Sequence, residues 1–187
     1  MPFCFFNLKM VVNLREFGQG MLVKLRNDLI LKLRPIKLLL INADGFVSKS
    51  ISDSYVGNPG IKNGFQISSL KKLGVLSLAL STKMSEEINS IVNGLGIEAF
   101  HQGIDEKLKF YSRIQSKYSV LTNNIAYICY DLSDLNLIDG VNFSVATYDA
   151  PLEVKAKSNY VTYGCGEGAV REVADLILKA KSVPQSK

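Results

Sequence analysis

The hydrophobic positions of this chain fall into short blocks separated by polar punctuation, and block length decides the element. Ile36-Lys37-Leu38-Leu39-Leu40-Ile41 is a run of branched apolar residues that stops at Asn42-Ala43-Asp44-Gly45. The run is too short for a helix core and suits a strand buried on both faces. Val75 to Leu80, Ile97 to Phe100, Ile125 to Cys129, Phe143 to Ala146 and Tyr160 to Thr162 repeat the signature. Helical spacing fills the gaps. Ile67, Leu70 and Leu73 mark a helix that Gly74 stops, and Ser85 to Asn93 makes another, with Ser85 as N-cap and Gly94 as its stop. Further helices are expected over Ile104 to Tyr118, Leu132 to Ile138, Pro151 to Ala156 and Glu167 to Ala180.

Strand and helix alternate without an internal repeat. That rhythm predicts an α/β fold with a mainly parallel sheet, helices on both faces and right-handed crossovers. Two stretches stand outside it. Residues 1–35 read as a basic, partly helical N-terminal extension, in which Leu22, Leu25, Leu29, Leu31 and Leu33 give an amphipathic stripe that Pro35 ends. Packing against the domain or a partner subunit is the expectation there. Phe46 to Lys62, rich in Ser and Gly with Asn58-Pro59-Gly60 as a turn, reads as a loop or short hairpin. The domain proper is expected over residues 36–181, with a flexible tail at 182–187.

Composition changes this picture little. The chain has 187 residues, 47% hydrophobic and 21% charged, which suits one domain with a full core. Its net charge of +5 owes much to Lys9, Arg15, Lys24, Arg26, Lys32 and Arg34 before the first strand and to Lys179, Lys181 and Lys187 at the end. No run of basic residues is interleaved with aromatics, which argues against a nucleic-acid surface. Cys4, Cys129 and Cys165 form no CxxC pair, and His101 is the single histidine, so no zinc-type cluster is legible. An odd cysteine count without an export signal points to a reducing cytoplasm. No apolar segment approaches the ~20 residues needed to cross a bilayer.

Open α/β sheets hold ligands beyond the C-terminal ends of their strands. Four segments should converge there: Asn42-Ala43-Asp44, Ser81-Thr82, Lys107 at the start of a helix, and Tyr130-Asp131. Carboxylates, hydroxyls, backbone amides and a lysine so placed suit a phosphate and a divalent cation. Each has a plainer reading. Asp44 can be a turn residue before Gly45, Ser81 a helix cap, Lys107 a solvated helix lysine, and Asp131 and Asp134 acids at the positive end of a short helix. His101 is expected to pack at a strand end, and Cys129 and Cys165 to be small buried residues.

The order and spacing of these segments resemble the haloacid dehalogenase superfamily of phosphohydrolases. More narrowly, they are similar to the capless, Rossmann-like group containing 3-deoxy-D-manno-octulosonate 8-phosphate (KDO 8-phosphate) phosphatase. The resemblance runs from Ile36 to about Ala180. It is carried by Ile36-Lys37-Leu38-Leu39-Leu40, His101-Gln102-Gly103 with Lys107, Ser144-Val145-Ala146 with Asp149-Ala150, and Gly166-Glu167-Gly168-Ala169-Val170-Arg171-Glu172-Val173. The C-terminal domain of animal N-acylneuraminate cytidylyltransferases shares the pattern.

The resemblance implies a nucleophilic aspartate at position 42 and an acid/base aspartate two residues on; this chain has Asn42 and Asp44. It implies Ser81 and Lys107 as phosphate contacts, with Thr82-Lys83 where the family has Gly-Arg. It implies magnesium held by oxygen ligands from two loops, through Asp44 and a Gly-Asp-Asp motif that reads Cys129-Tyr130-Asp131 here, so that Tyr130 falls on a ligand position with Asp131 beside it. Lys62-Asn63-Gly64 replaces Arg-Asp-Gly, Glu167 replaces an arginine, and the hairpin after the first motif is shortened. An amide is a poor nucleophile towards phosphorus and brings no charge to a cation. Loss of an essential nucleophile costs on the order of 10⁴–10⁶ in rate.

The expectation is therefore a phosphoric monoester hydrolase scaffold that has lost its chemistry. It would act through assembly or ligand binding, as a homo-oligomer (a tetramer by family resemblance) linked to sugar acids of surface glycans. The alternative is an active magnesium-dependent phosphatase on a 3-deoxy-2-keto sugar acid phosphate, with Asp44 or Asp131 taking over the missing roles. A third reading is a phosphate or sugar-acid binding module that keeps Ser81 and Lys107 without turnover.

Overall fold

The computed structural model describes residues 27–47 and 65–184. Six strands form one parallel sheet: β1 (Leu38–Asn42), β2 (Leu76–Leu80), β3 (Ala99–His101), β4 (Ile125–Cys129), β5 (Phe143–Ala146) and β6 (Tyr160–Val161). Their spatial order is β3-β2-β1-β4-β5-β6. The apolar run read from the sequence is thus the centre of the sheet, with Leu40 paired to Leu78 on one side and to Tyr127 on the other. All five residues of β1 are buried, the pattern of a strand covered on both faces.

Alternation along β1 splits the core in two. Leu39 and Ile41 point to the layer of α1 (Asn27–Leu33), α2 (Phe65–Lys72), α3 (Glu86–Leu95) and α7 (Gly166–Ser182), where they meet Leu33, Leu70, Val92 and Val173. Leu38 and Leu40 point to the layer of α4 (Lys107–Tyr118), α5 (Leu135–Ile138) and α6 (Leu152–Lys157), where they meet Phe110, Ile114, Leu137 and Val154. The result is a three-layer α/β/α domain of Rossmann-like form, as the alternation predicted.

Several boundaries differ from the sequence reading. The helix expected to stop at Gly94 continues to Leu95, and Gly96 ends it at φ 72°, its N–H turned back to the carbonyls of Val92 and Asn93. Only a glycine adopts that left-handed conformation without strain. The helix expected from Ile104 begins at Lys107, because the Ile104 N–H is committed to the carbonyl of Ser81 at 3.0 Å. The expected helix over Leu132 to Ile138 divides into a 3₁₀ turn, Leu132–Asp134, and the single α turn of α5. A second 3₁₀ turn, Ala43–Val47, follows β1. The loop or hairpin read after Phe46 and the Lys62-Asn63-Gly64 segment lie almost wholly outside the described residues, as do residues 1–26 and 185–187 of the expected tails. Among the described residues no helix is long and apolar enough to cross a membrane.

Candidate active site at the sheet's switch point

Chain order reverses between β1 and β4: β2 and β3 build outward on one side, β5 and β6 on the other. Such a point leaves a crevice beyond the strand ends. Asn42 is the last residue of β1, Asp44 opens the 3₁₀ turn after it, Ser81 follows β2, and Tyr130 and Asp131 follow β4. Lys107 reaches in from the first turn of α4. The topology therefore gathers every residue singled out in the strand-end segments.

Their contacts form two linked sets. In the first, Asp44 accepts from the Ser81 hydroxyl (2.5 Å), the Thr82 hydroxyl (2.8 Å) and the Thr82 N–H (3.2 Å). The Asn42 side-chain carbonyl accepts the Asp44 N–H at 3.0 Å, joining this set to β1. In the second, Asp134 is the hub. Its Oδ1 accepts from Lys107 Nζ and from the Tyr127 hydroxyl, both at 2.6 Å. Its Oδ2 accepts from Asn42 Nδ2 at 2.8 Å and from the N–H groups of Tyr130 (2.7 Å) and Asp131 (3.1 Å). Asp131 takes Lys107 Nζ at 3.3 Å and the hydroxyl and N–H of Ser133.

Burial gives these contacts weight. Asp134 is fully buried and Lys107 only 6% exposed. A buried charge without a partner is strongly destabilising, so the Lys107–Asp134 pair holds its members in place. Burial also pushes the Tyr127 hydroxyl far up, and the Asp134 charge adds to the rise, which keeps it protonated as a donor. Burial pushes the Asp131 carboxyl up as well, but the Ser133 hydrogen bonds and the Lys107 ammonium outweigh it and the net direction is down. Asp131 is thus held ionised.

Asp134 and Tyr127 are the residues that sequence reading undervalued. Asp134 was visible only as an acid near a short helix. It does close a capping box with Asp131 on the 3₁₀ turn, but its larger role is to bind β1, β4 and α4 together. Tyr127 carried a signal: a hydroxyl in the middle of an all-buried strand must find a partner. Tyr130 presents its ring rather than a ligand atom. A Cβ built on Gly45 would lie 2.6 Å from its Cδ2, so the ring lies flush against the turn after β1. The start of α7 abuts the same turn, with Gly166 beside the Gly45 carbonyl. His101 packs its ring on Phe110 at 5.0 Å, and Nε2 has no hydrogen-bond partner. Cys129 is buried, whereas Cys165 is partly exposed, against the expectation for it.

The magnesium that the resemblance implies can be tested against these donors. At the expected ligand positions this chain keeps two carboxylates, Asp44 and Asp131, and has Tyr130 at the third, with the amide Asn42 beside them. Such an ion takes about six oxygen ligands. Here both oxygens of Asp134 and both of Asp44 already accept hydrogens, and Asn42 aims its NH₂ at Asp134. Among the described residues no three His, Cys, Asp or Glu side chains form a metal-binding group.

No family model matches the chain. It is 31% identical over 162 residues to the 3-deoxy-D-manno-octulosonate 8-phosphate phosphatase of Escherichia coli, covering 82% of this chain and 85% of that protein. Among solved structures, the phosphatase of that description from Yersinia pestis superposes with a TM-score of 0.71 at 32% identity, over 84% of this chain and 88% of the other. The Moraxella catarrhalis phosphatase, solved in complex with magnesium ion, phosphate ion and KDO, gives a TM-score of 0.70 at 28% identity over 84% and 94% of the two chains.

Proposed function

Because the chain belongs to the 3-deoxy-D-manno-octulosonate 8-phosphate phosphatase family of the haloacid dehalogenase superfamily, we propose that it is a member that has lost turnover and acts through assembly or ligand binding. The observation that carries this reading is Asn42. Its amide stands at the end of β1, 2% exposed, donating to Asp134 and accepting from the Asp44 N–H. Neither atom is a nucleophile, and Tyr130 adds no anionic oxygen beside it. Ser81, Thr82 and Lys107, the groups expected to hold phosphate, direct their donors at Asp44, Asp131 and Asp134 instead. The ligand class follows from the relatives: a 3-deoxy-2-keto sugar acid or its phosphate, as in the Moraxella catarrhalis complex.

The non-catalytic role is that of a cytoplasmic homo-oligomer built from the domain over residues 36–181 together with α1, whose Leu33 is buried in its core. The degenerate domain of animal N-acylneuraminate cytidylyltransferases is the analogy for a role in assembly. One observation favours the active alternative. Asp44, Ser81, Thr82, Lys107 and Asp131 all reach the switch point, and Asp44 is within hydrogen-bond reach of two hydroxyls. In that reading Asp44 or Asp131 performs the chemistry and magnesium is required.

A phosphate-release assay separates the two. Purified protein incubated with magnesium and KDO 8-phosphate is expected to release no phosphate above background. Turnover abolished by Asp44→Asn would sink the non-catalytic reading and establish the alternative.

A further inference from the structure

A parallel sheet puts all its strand starts on one edge, and the helices that feed those strands end there. Hydrogen bonds run along this edge. The Lys37 N–H reaches the Asn124 carbonyl at 2.7 Å, the Leu76 N–H reaches the Lys37 carbonyl at 2.9 Å, and the Asn142 side chain reaches the Lys32 carbonyl at 2.6 Å. The C-terminal end of α7 joins it, since Lys181 Nζ donates to the Arg34 carbonyl at 2.8 Å and the Arg34 guanidinium donates to the Val183 carbonyl. The edge lies opposite the crevice and carries Lys32, Arg34, Lys37, Lys71, Lys72 and Lys181. Lys32, Lys37, Lys71 and Lys72 are exposed. Two carboxylates near the strand starts are already engaged: Glu98 accepts the Ser77 N–H at 2.8 Å, and Asp139 pairs with Lys157 at 2.7 Å. Among the described residues the six cations have no ion-pair partner.

Helix dipoles explain part of this. Lys32, Lys71, Lys72 and Lys181 stand in last turns, where a cation meets the negative end of the helix. They do not explain Arg34 and Lys37, which lie between α1 and β1. Nor do they explain the crowding of like charge: burial, and then the charge of Lys37, lowers the Lys181 ammonium from the ordinary lysine value. Exposed leucines stand among these cations. Leu31 is 73% exposed beside Lys32, Leu73 is 51% exposed beside Lys72, and Leu121 is 72% exposed just before the turn that feeds β4. Lysines around exposed aliphatic side chains suit an anionic lipid surface, where cations meet headgroups and aliphatic groups enter the acyl boundary. A single-stranded nucleic acid would instead call for aromatic rings that stack on bases. The sequence ahead of α1 adds Lys9, Arg15, Lys24 and Arg26 against one acid, Glu16. We propose that the strand-start edge of the sheet is a docking surface for an anionic phospholipid bilayer, with the crevice turned away from it. No residue of the crevice takes part, so this surface is independent of whether the crevice turns over substrate.

The test is co-sedimentation of the full chain with lipid vesicles. Wild type is expected to bind phosphatidylcholine vesicles holding about 30% phosphatidylglycerol at about 0.05 M salt, and to be released at about 0.5 M, where exposed charges are screened. Vesicles of phosphatidylcholine alone should retain none. Lys37→Glu with Lys72→Glu is expected to weaken binding by at least about tenfold, since each cation near an anionic surface is worth about fivefold. Lys109→Glu with Lys155→Glu changes the net charge by the same amount on α4 and α6, and should weaken binding far less. Equal weakening by the two pairs would show that net charge alone drives binding and would overturn the proposal. So would retention on neutral vesicles, or no binding to the anionic ones at low salt. A DNA duplex that strips the protein from the vesicles at equal phosphate would assign the edge to nucleic acid instead, and that too overturns it. The salt, neutral-lipid and duplex arms use wild type and do not depend on how the variants fold.

Discussion

The buried carboxylate of Asp134 receives five donors from β1, β4, α4 and the two residues that link β4 to its 3₁₀ turn. Removing it strands the Lys107 ammonium at 6% exposure, with only the longer contact to Asp131 left. Asp134→Ala is therefore expected to lower stability by about 3–5 kcal/mol in urea unfolding. Replacing both members of the pair, Asp134→Ala with Lys107→Met, should lower it by less than the two single changes summed, with a coupling of about 1–3 kcal/mol. Strictly additive losses would show that the pair is not the stabilising unit. Asn42 could be flagged from sequence because its position at the end of β1 was legible. Its partner Asp134 lies 92 positions away, and no local pattern ties the two together.

At the scale of elements, caps were easier to read than contacts between loops. Ser85 accepts the Ile88 N–H and caps α3 as its position suggested. Gly94 and Gly96 were indistinguishable as stops, since both are glycines two residues apart and only the backbone angle separates them. The turn Ala43–Val47 is fixed from outside, by the ring of Tyr130 pressed against Gly45. Gly45→Ala would drive a methyl group to within 2.6 Å of that ring. It should cost about 1–3 kcal/mol, the usual penalty for overpacking. In a Tyr130→Ala background the same change should cost far less, as chemical denaturation would read. Equal losses in both backgrounds would mean that the ring is not what constrains the turn.

At the scale of the whole molecule, two cores lie on either face of the sheet among the described residues, and large apolar side chains remain on the surface. Met84, Leu132, Tyr148, Leu152 and Tyr163 are all exposed. Each follows the C-terminal end of a strand, so they share the edge of the sheet that bears the crevice. If the protein acts through assembly, gel filtration with light scattering should find it well above its monomer mass of 20.6 kDa. A monomer across the micromolar range would remove assembly from the proposed function and leave ligand binding.

The order of strands and helices, the central place of β1 and the set of residues beyond the strand ends were all determined by the sequence itself. Each follows from the length and polarity of a local block, and burial on two faces demands an unbroken apolar run. What those residues do to one another was decided by the tertiary structure. Sheet register and the turns after β1, β2 and β4 set which donor meets which acceptor. That geometry turned Lys107 and Asn42 towards Asp134, and Ser81 towards Asp44. A hydrogen bond depends on tenths of an ångström between groups far apart in the chain, and periodicity carries no such information.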